Sequence, residues 1–237
     1  MKEISLSYWA LFIAAIPSVL VIGVLLKWQQ ETKTALYALS RMLLQLLVVG
    51  FFLTYIFHSN SYYVVIAVLG IMVLISSWIA LRTVETKRKS LYGIAVLASL
   101  IGGGSTLILI TQVSLEIKPW FDAQIMIPLA GMIFASAMNS ISIAAERLQA
   151  ELERAFVFTQ ARNIALKASL IPVVNSLFAV GLVSLPGMMT GQILSGVDPF
   201  IAARYQILVM FMLFGATGLA SAVYLQLYYR MFIKNNS

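Results

Sequence analysis

The chain has 237 residues and a formal charge of +7; it is 61% hydrophobic and 11% charged, against roughly 45–50% and about 25% in a soluble domain. Its mean hydropathy of +0.93 excludes a water-soluble fold, because a core of this size could not hide so much apolar surface, whereas a bilayer accepts it. The absence of cysteine excludes disulfides, thiolate metal sites and cysteine nucleophiles.

Apolar windows follow one another at 6–26, 36–57, 62–81, 91–113, 124–145, 165–185 and 200–229. Each is long enough to cross hydrocarbon as a helix, and lipid leaves backbone groups no other partner. The expectation is an all-α, polytopic integral membrane protein of about seven transmembrane helices, with residues 1–237 forming a single transmembrane domain. The first window is too long for a signal peptide and lacks a small-x-small cleavage site, so it reads as a retained helix.

Positive charge sets the direction. Lys27, Lys33 and Arg41 surround the first connection, and Arg82, Lys87, Arg88 and Lys89 fill the third. Arg147, Arg154, Arg162 and Lys167 occupy the fifth, and Arg230 and Lys234 follow the last window. The opposite side has only Lys2, Lys118 and Arg204. This distribution places the N-terminus outside and the C-terminus in the cytoplasm, in a multi-pass arrangement across the cytoplasmic (inner) membrane. It also names membrane lipid, not nucleic acid, as the partner of the positive charge.

Arg41 and Gln45 lie one turn apart on one face of the second window. Arginine there either faces the bundle or snorkels to the near interface. His58, the only histidine, sits at the outer end of the same window, as an interfacial residue or a general base. With no second histidine, no HExxH and no paired intramembrane carboxylates, catalysis is poorly supported, and the chain is not expected to be an enzyme. Gly102-Gly103-Gly104 lacks the Lys-Ser/Thr of a phosphate loop and reads as close helix packing or a bend. Asn139 and Asn175 lie deep in the fifth and sixth windows, where amides either cement helices or face a pathway.

Residues 146–163 read as a cytoplasmic amphipathic helix. Leu148, Leu152, Ala155, Phe156 and Thr159 share a face, and Arg147 can pair with Glu151 across one turn. Such a helix either docks on a soluble partner or lines the membrane. With no glycine or proline between Met132 and Ile171, Asn163 is one place for the chain to turn. In the stretch from Gly181 to Gly191, Pro186 should break the sixth helix at its outer end, with Gly187 free to take positive φ. Met188 and Met189 are weak candidates for soft-metal ligands and otherwise fill gaps. Asp198-Pro199 then offers an N-cap and a first-turn proline.

The run Leu185-Pro186-Gly187-Met188-Met189 resembles the signature of the FetB-type permeases, membrane subunits of a bacterial ABC exporter linked to iron, with plant relatives linked to aluminium tolerance. Arg41-x-x-x-Gln45-Leu46-x-x-x-Gly50, Ile127-Pro128-Leu129-Ala130-Gly131-Met132, Ile171-Pro172, Asn175, Asp198-Pro199 and Tyr205-Gln206 continue the resemblance in order over nearly the whole chain. Two departures stand out. Ala135-Ser136 replaces the family's Gly-Asn, and the cytoplasmic stretch after Glu146-Arg147-Leu148 is shortened where the family's resembles a loop that grips an ATPase.

The resemblance implies a permease that binds no cofactor itself, pairs as a homodimer, and uses ATP bound and hydrolysed on a separate cytoplasmic ABC ATPase subunit. Gln45, Asn139 and Asn175 are then pathway candidates, and Arg41 is structural or pathway-facing. Pro186, Gly187, Met188 and Met189 form a hinge or outer gate, and Glu146, Arg147, Glu151 and Arg154 couple to the ATPase. Iron export is the implied activity. A sugar nucleotide or other small polar cargo is an alternative, and the shortened segment allows an uncoupled membrane scaffold or regulatory subunit.

Overall fold

The computed structural model describes residues 7–58 and 61–236, excluding the side chains of Tyr8, His58 and residues 234–236. The reading of His58 as interfacial or basic therefore falls on a side chain outside the described ones, as does Lys234, and Lys2 lies outside the described residues. The described residues form no β-strand and are helical almost throughout, as expected of an all-α membrane protein. Five stretches are long and apolar enough to cross a membrane: Trp9–Lys27, Thr32–Phe57, Tyr62–Ser114, Ala123–Glu153 and Pro199–Ile233.

The chain divides into two compact units, Met1–His58 and Ser59–Ser237. In the first, α1 (Tyr8–Lys27) and α2 (Thr32–His58) are joined through Gln29, which adopts φ 54°. Ser7 Oγ caps α1 by accepting from Trp9 N. The large apolar side chains along both helices are exposed. Such all-round hydrophobicity suits lipid contact.

The second unit is built around α6 (Ala123–Glu153), started by Asp122 Oδ1 accepting from Gln124 N at 2.9 Å. Against it pack α3 (Tyr62–Ala80), α7 (Phe158–Ala179) and α9 (Pro199–Asn236). A 3-10 stretch, Leu81–Lys87, leads from α3 into α4 (Arg88–Ala98), which runs back along α3. Arg88 Nη2 donates to Trp78 O at 2.7 Å, Tyr92 Oη to Leu74 O at 3.1 Å, and Ser77 Oγ to Ser99 Oγ at 3.1 Å. The window from 62 to 114 thus holds two passages.

From α4 the helix continues through a π-helical segment (Ser99–Gly104), α5 (Ser105–Ile108) and a second π segment (Leu109–Ser114). The triple glycine lies in the first π segment and serves close packing. A Cβ on Gly102 would stand 2.6 Å from Ala220 Cα, and one on Gly103 would stand 3.1 Å from Ile133 and Phe134. Tyr62, Trp120 and Phe121 cluster at the far end, with ring centroids 5.6–6.4 Å apart, as aromatic residues do at membrane interfaces.

Two boundaries differ from the sequence reading. The segment 146–163 is not one amphipathic helix: α6 runs on to Glu153, the chain turns at 154–157, and α7 begins at Phe158. The turn falls at Ala155 (φ 63°), not at Asn163. A left-handed alanine costs roughly 1–2 kcal/mol, and the packing of Phe158 against Tyr228, Tyr229 and Phe232, with centroids 4.8–6.2 Å apart, offsets it. At its other end α7 stops at Ala179, short of Pro186. There Gly181 (φ 84°) lets its N–H reach Ser184 O at 3.0 Å.

Pro186 instead stands before the first residue of α8 (Gly187–Leu194), and Gly187 is helical. Among the described glycines, positive φ occurs at Gly181 and Gly196, so Gly187 does not use the positive φ open to it. Asp198 does cap α9, its Oδ1 accepting from Phe200 N at 2.9 Å and Ile201 N at 3.3 Å.

Candidate functional site

A cavity of about 430 Å³ opens among α6, α7, α8 and α9. Helix α6 presents Met132, Ser136, Asn139 and Ser140 to it; α7 presents Ser169, Pro172 and Ser176. The turn and first residues of α8 contribute Pro186, Gly187 and Met188, and α9 contributes Gln206, Val209, Met210 and Thr217. The spacing 132–136–139–140 and 206–209–210–213 is one face of a helix. None of the lining residues is charged. Asn139 and Ser176 are exposed at the rim, so the cavity is open on one side.

A second cavity, about 840 Å³, is lined by Glu116, Lys118, Gln124, Gln192 and Tyr205 among others, toward the end expected to lie outside. Met132, Met188 and Val209 line both cavities and so stand between them. A glutamine in the wall of each cavity has a buried carbonyl oxygen with no hydrogen-bond partner among the described residues: Gln206 Oε1 beside the first, Gln192 Oε1 beside the second. Gln206 is only 6% exposed. A buried acceptor left unpaired costs on the order of 1–3 kcal/mol.

Of the pathway candidates, Asn139 lines the first cavity, while Asn175 is exposed on α7 and lines neither. Gln45 belongs to the first unit, and it pairs there with Arg41. With the amide oxygen facing the guanidinium, it accepts from Arg41 Nε at 2.9 Å and Nη2 at 3.2 Å. Among the gate candidates Pro186, Gly187 and Met188 line the first cavity and Met189 does not. No group of three or more His, Asp or Glu side chains gathers among the described residues. The soft donors beside the cavity are the thioethers of Met132, Met188 and Met210. Gln206 entered the sequence reading only as part of the Tyr205-Gln206 match, without a role, and these serines not at all, because a glutamine or serine in an apolar window carries no spacing signature.

The coupling candidates form a separate cluster where α6 ends. Glu151 is 2% exposed, and its Oε1 lies 2.6 Å from Arg147 Nη2 and 3.4 Å from Arg154 Nη1. The i, i+4 pairing read from the sequence is therefore present, with a second arginine added from one turn on. A carboxylate this buried is tolerable only when paired. Glu146 and Arg154 are exposed, as are Phe156 and Val157 at the tip of the turn.

Residues 6–233 match the family described as "Uncharacterised protein family (UPF0014)". The chain is 36% identical over 231 residues to a UPF0014 membrane protein of Synechocystis, covering 90% of this chain and 88% of that one. It is 32% identical over 231 residues to the Escherichia coli protein named probable iron export permease protein FetB, at 90% and 87% coverage. The Arabidopsis thaliana protein ALUMINUM SENSITIVE 3 is 33% identical over 230 residues, at 88% and 81% coverage. No solved structure matches the chain.

Proposed function

The chain belongs to the UPF0014 family of membrane proteins, and from that premise we propose that it is the permease subunit of an ABC-type transporter that exports iron or another metal. A separate cytoplasmic ATPase subunit binds and hydrolyses the ATP, and two copies of the chain form the functional permease in the cytoplasmic membrane. The chain itself is not an enzyme and holds no cofactor. The observation that carries this reading is the pair of adjoining cavities in the second unit, meeting at Met132, Met188 and Val209. A mostly apolar, uncharged chamber carrying a few hydroxyls and amides, beside a flexible thioether constriction, suits passage, because cargo must bind well enough to enter and weakly enough to leave.

In this mechanism the cargo enters the first cavity past Asn139 and moves toward the second when α8 shifts. Gly181 and Gly196, both at positive φ, let the short helix move as a unit between α7 and α9. Met188 rides on its first turn and opens or closes the constriction. On the cytoplasmic face, Phe156, Val157 and Arg154 at the α6–α7 turn meet the ATPase, while Glu151 ties that turn to α6. The short turn takes the place of the longer gripping loop implied by the family resemblance.

Reconstitution with the co-purifying ATPase in liposomes, with iron flux measured against ATP, tests this reading. ATP-dependent flux is expected. Asn139→Ala should lower it severalfold, and by more than Asn175→Ala, since only Asn139 lines the cavity. Flux independent of ATP, or absence of any ATPase after crosslinking in native membranes, sinks the proposal.

A further inference from the structure

We propose that the second cavity holds one phospholipid with a zwitterionic, primary-amine headgroup, drawn from the leaflet on the side where α6 and α9 begin. The headgroup lies between Glu116 and Lys118, and an acyl chain runs down the cavity toward Met132. The site does not depend on the permease reading; within that reading the lipid is the seal that leaves when α8 shifts.

The mouth is built by the loop after the second π segment. Ile117, 8% exposed, anchors that loop, its N–H donating to Thr111 O at 3.0 Å, while Leu115 N donates to Ile110 O at 2.9 Å. Glu116 and Lys118 flank the anchor, and both are exposed and line the cavity. Among the described residues neither side chain makes an ion pair or a hydrogen bond. The same two charges border a shallow hollow with Trp120, whose cluster with Tyr62 and Phe121 marks the membrane interface. The pair therefore stands at headgroup level.

Below the mouth the wall turns apolar. Along α6 it descends from Gln124 through Ile125, Pro128 and Leu129 to Met132, about 12 Å by the helical rise. Leu208 and Val209 continue it on α9. Ile125 and Pro128 are exposed, so the cavity opens along its side. Water gains little in an apolar cavity, and an empty one forfeits the dispersion contacts of its lining. In a bilayer the occupant that incurs neither cost is an acyl chain.

Headgroup chemistry follows from the two charges. The Lys118 ammonium pairs with a phosphate oxygen, and the Glu116 carboxylate accepts from a protonated primary amine. Gln124 and Tyr205 line the same cavity with an amide and a hydroxyl able to donate to the phosphate. Phosphatidylethanolamine satisfies both charges. Phosphatidylglycerol brings an anion without a cation and leaves Glu116 opposed, and a choline group has no N–H to donate. The first cavity lacks this build, since none of its lining residues is charged.

The full chain in mild detergent is titrated with phosphatidylethanolamine or phosphatidylglycerol, and native mass spectrometry gives the affinity for the first lipid bound. Tighter binding of phosphatidylethanolamine is expected. Glu116→Gln should cut that preference about twofold to fivefold, the size of one exposed ion pair. Glu116→Lys puts two cations at the mouth and should turn the preference to phosphatidylglycerol, a gain that misfolding cannot imitate. Leu208→Trp, which fills the floor, should weaken both lipids.

Equal affinity for the two lipids in the unaltered chain overturns the proposal, as does a preference that both Glu116 variants leave unchanged. Glycerophosphoethanolamine, the same headgroup without acyl chains, should fail to displace the lipid at equal concentration. Displacement would overturn the lipid assignment and leave a site for a small soluble zwitterion.

Discussion

Within the second unit, the helices from Ala137 through Leu148 on α6 and from Ala220 through Tyr228 on α9 pack tightly with Ala95, Ala98, Ala161 and Ala165. One helical stretch further along, the same α6 and α9, together with α7 and α8, stand apart around a cavity whose lining includes serine, asparagine, glutamine and methionine. The difference lies in residue size. Alanine and glycine let backbones approach, so dispersion does the work that the hydrophobic effect cannot do in lipid. Where Met132, Met188, Gln206 and Met210 replace them, the helices cannot close, and the gap collects the polar side chains. A single pair of long helices thus supplies a rigid clamp at one end and a chamber at the other.

Substitutions at the two ends should separate them. The largest effect is expected from Gly102→Val. Its Cβ would meet backbone atoms of Ala220, which cannot rotate away, so α9 must move. Overpacking of this kind costs typically 1–3 kcal/mol or more, and a thermal melt followed by tryptophan fluorescence should fall by several degrees or show no folded protein. A melt indistinguishable from wild type would mean that the clamp is not close-packed.

Glu151→Ala, at the clamp's end, leaves Arg147 half-buried without its partner. The ion pair is partly screened at Arg147, so a loss of about 1–2 kcal/mol is expected. Arg147→Met in the Glu151→Ala background should recover part of it. Failure of that rescue would show that the carboxylate acts through something other than the pair.

The chamber should behave in the opposite sense. Gln206→Leu removes an unpaired buried carbonyl, so the melting temperature should hold or rise slightly. A sharp drop in melting temperature would instead mark Gln206 as part of the packing.

Some of this was legible along the chain. Asp198-Pro199 announced the start of α9, and the cap is made as expected. Arg147 and Glu151 meet because residues four apart on a helix must. The triple glycine, lacking the charge of a phosphate loop, is a packing surface. Other features were not legible for physical reasons. Nothing at Ala155 marks a turn, since alanine favours helix. The helix breaks there because Phe158 is better placed against Tyr228, Tyr229 and Phe232 than on a continued α6. Likewise Pro186 promised to end a helix and begins one instead, because Gly181 has already turned the chain.

The residues by themselves determined the solvent and the helical class, because hydropathy and the backbone's need for internal hydrogen bonds are properties of a segment alone. Their alternation of charge also set an expected direction. Tertiary structure decided which polar residues meet. Asn139 and Asn175 look alike in an apolar window, yet one lines the chamber and the other does not. Gln206 is a lone amide until α6, α7 and α8 surround it. Burial and empty volume exist only between helices, so a chamber made of them is fixed by packing rather than by any motif.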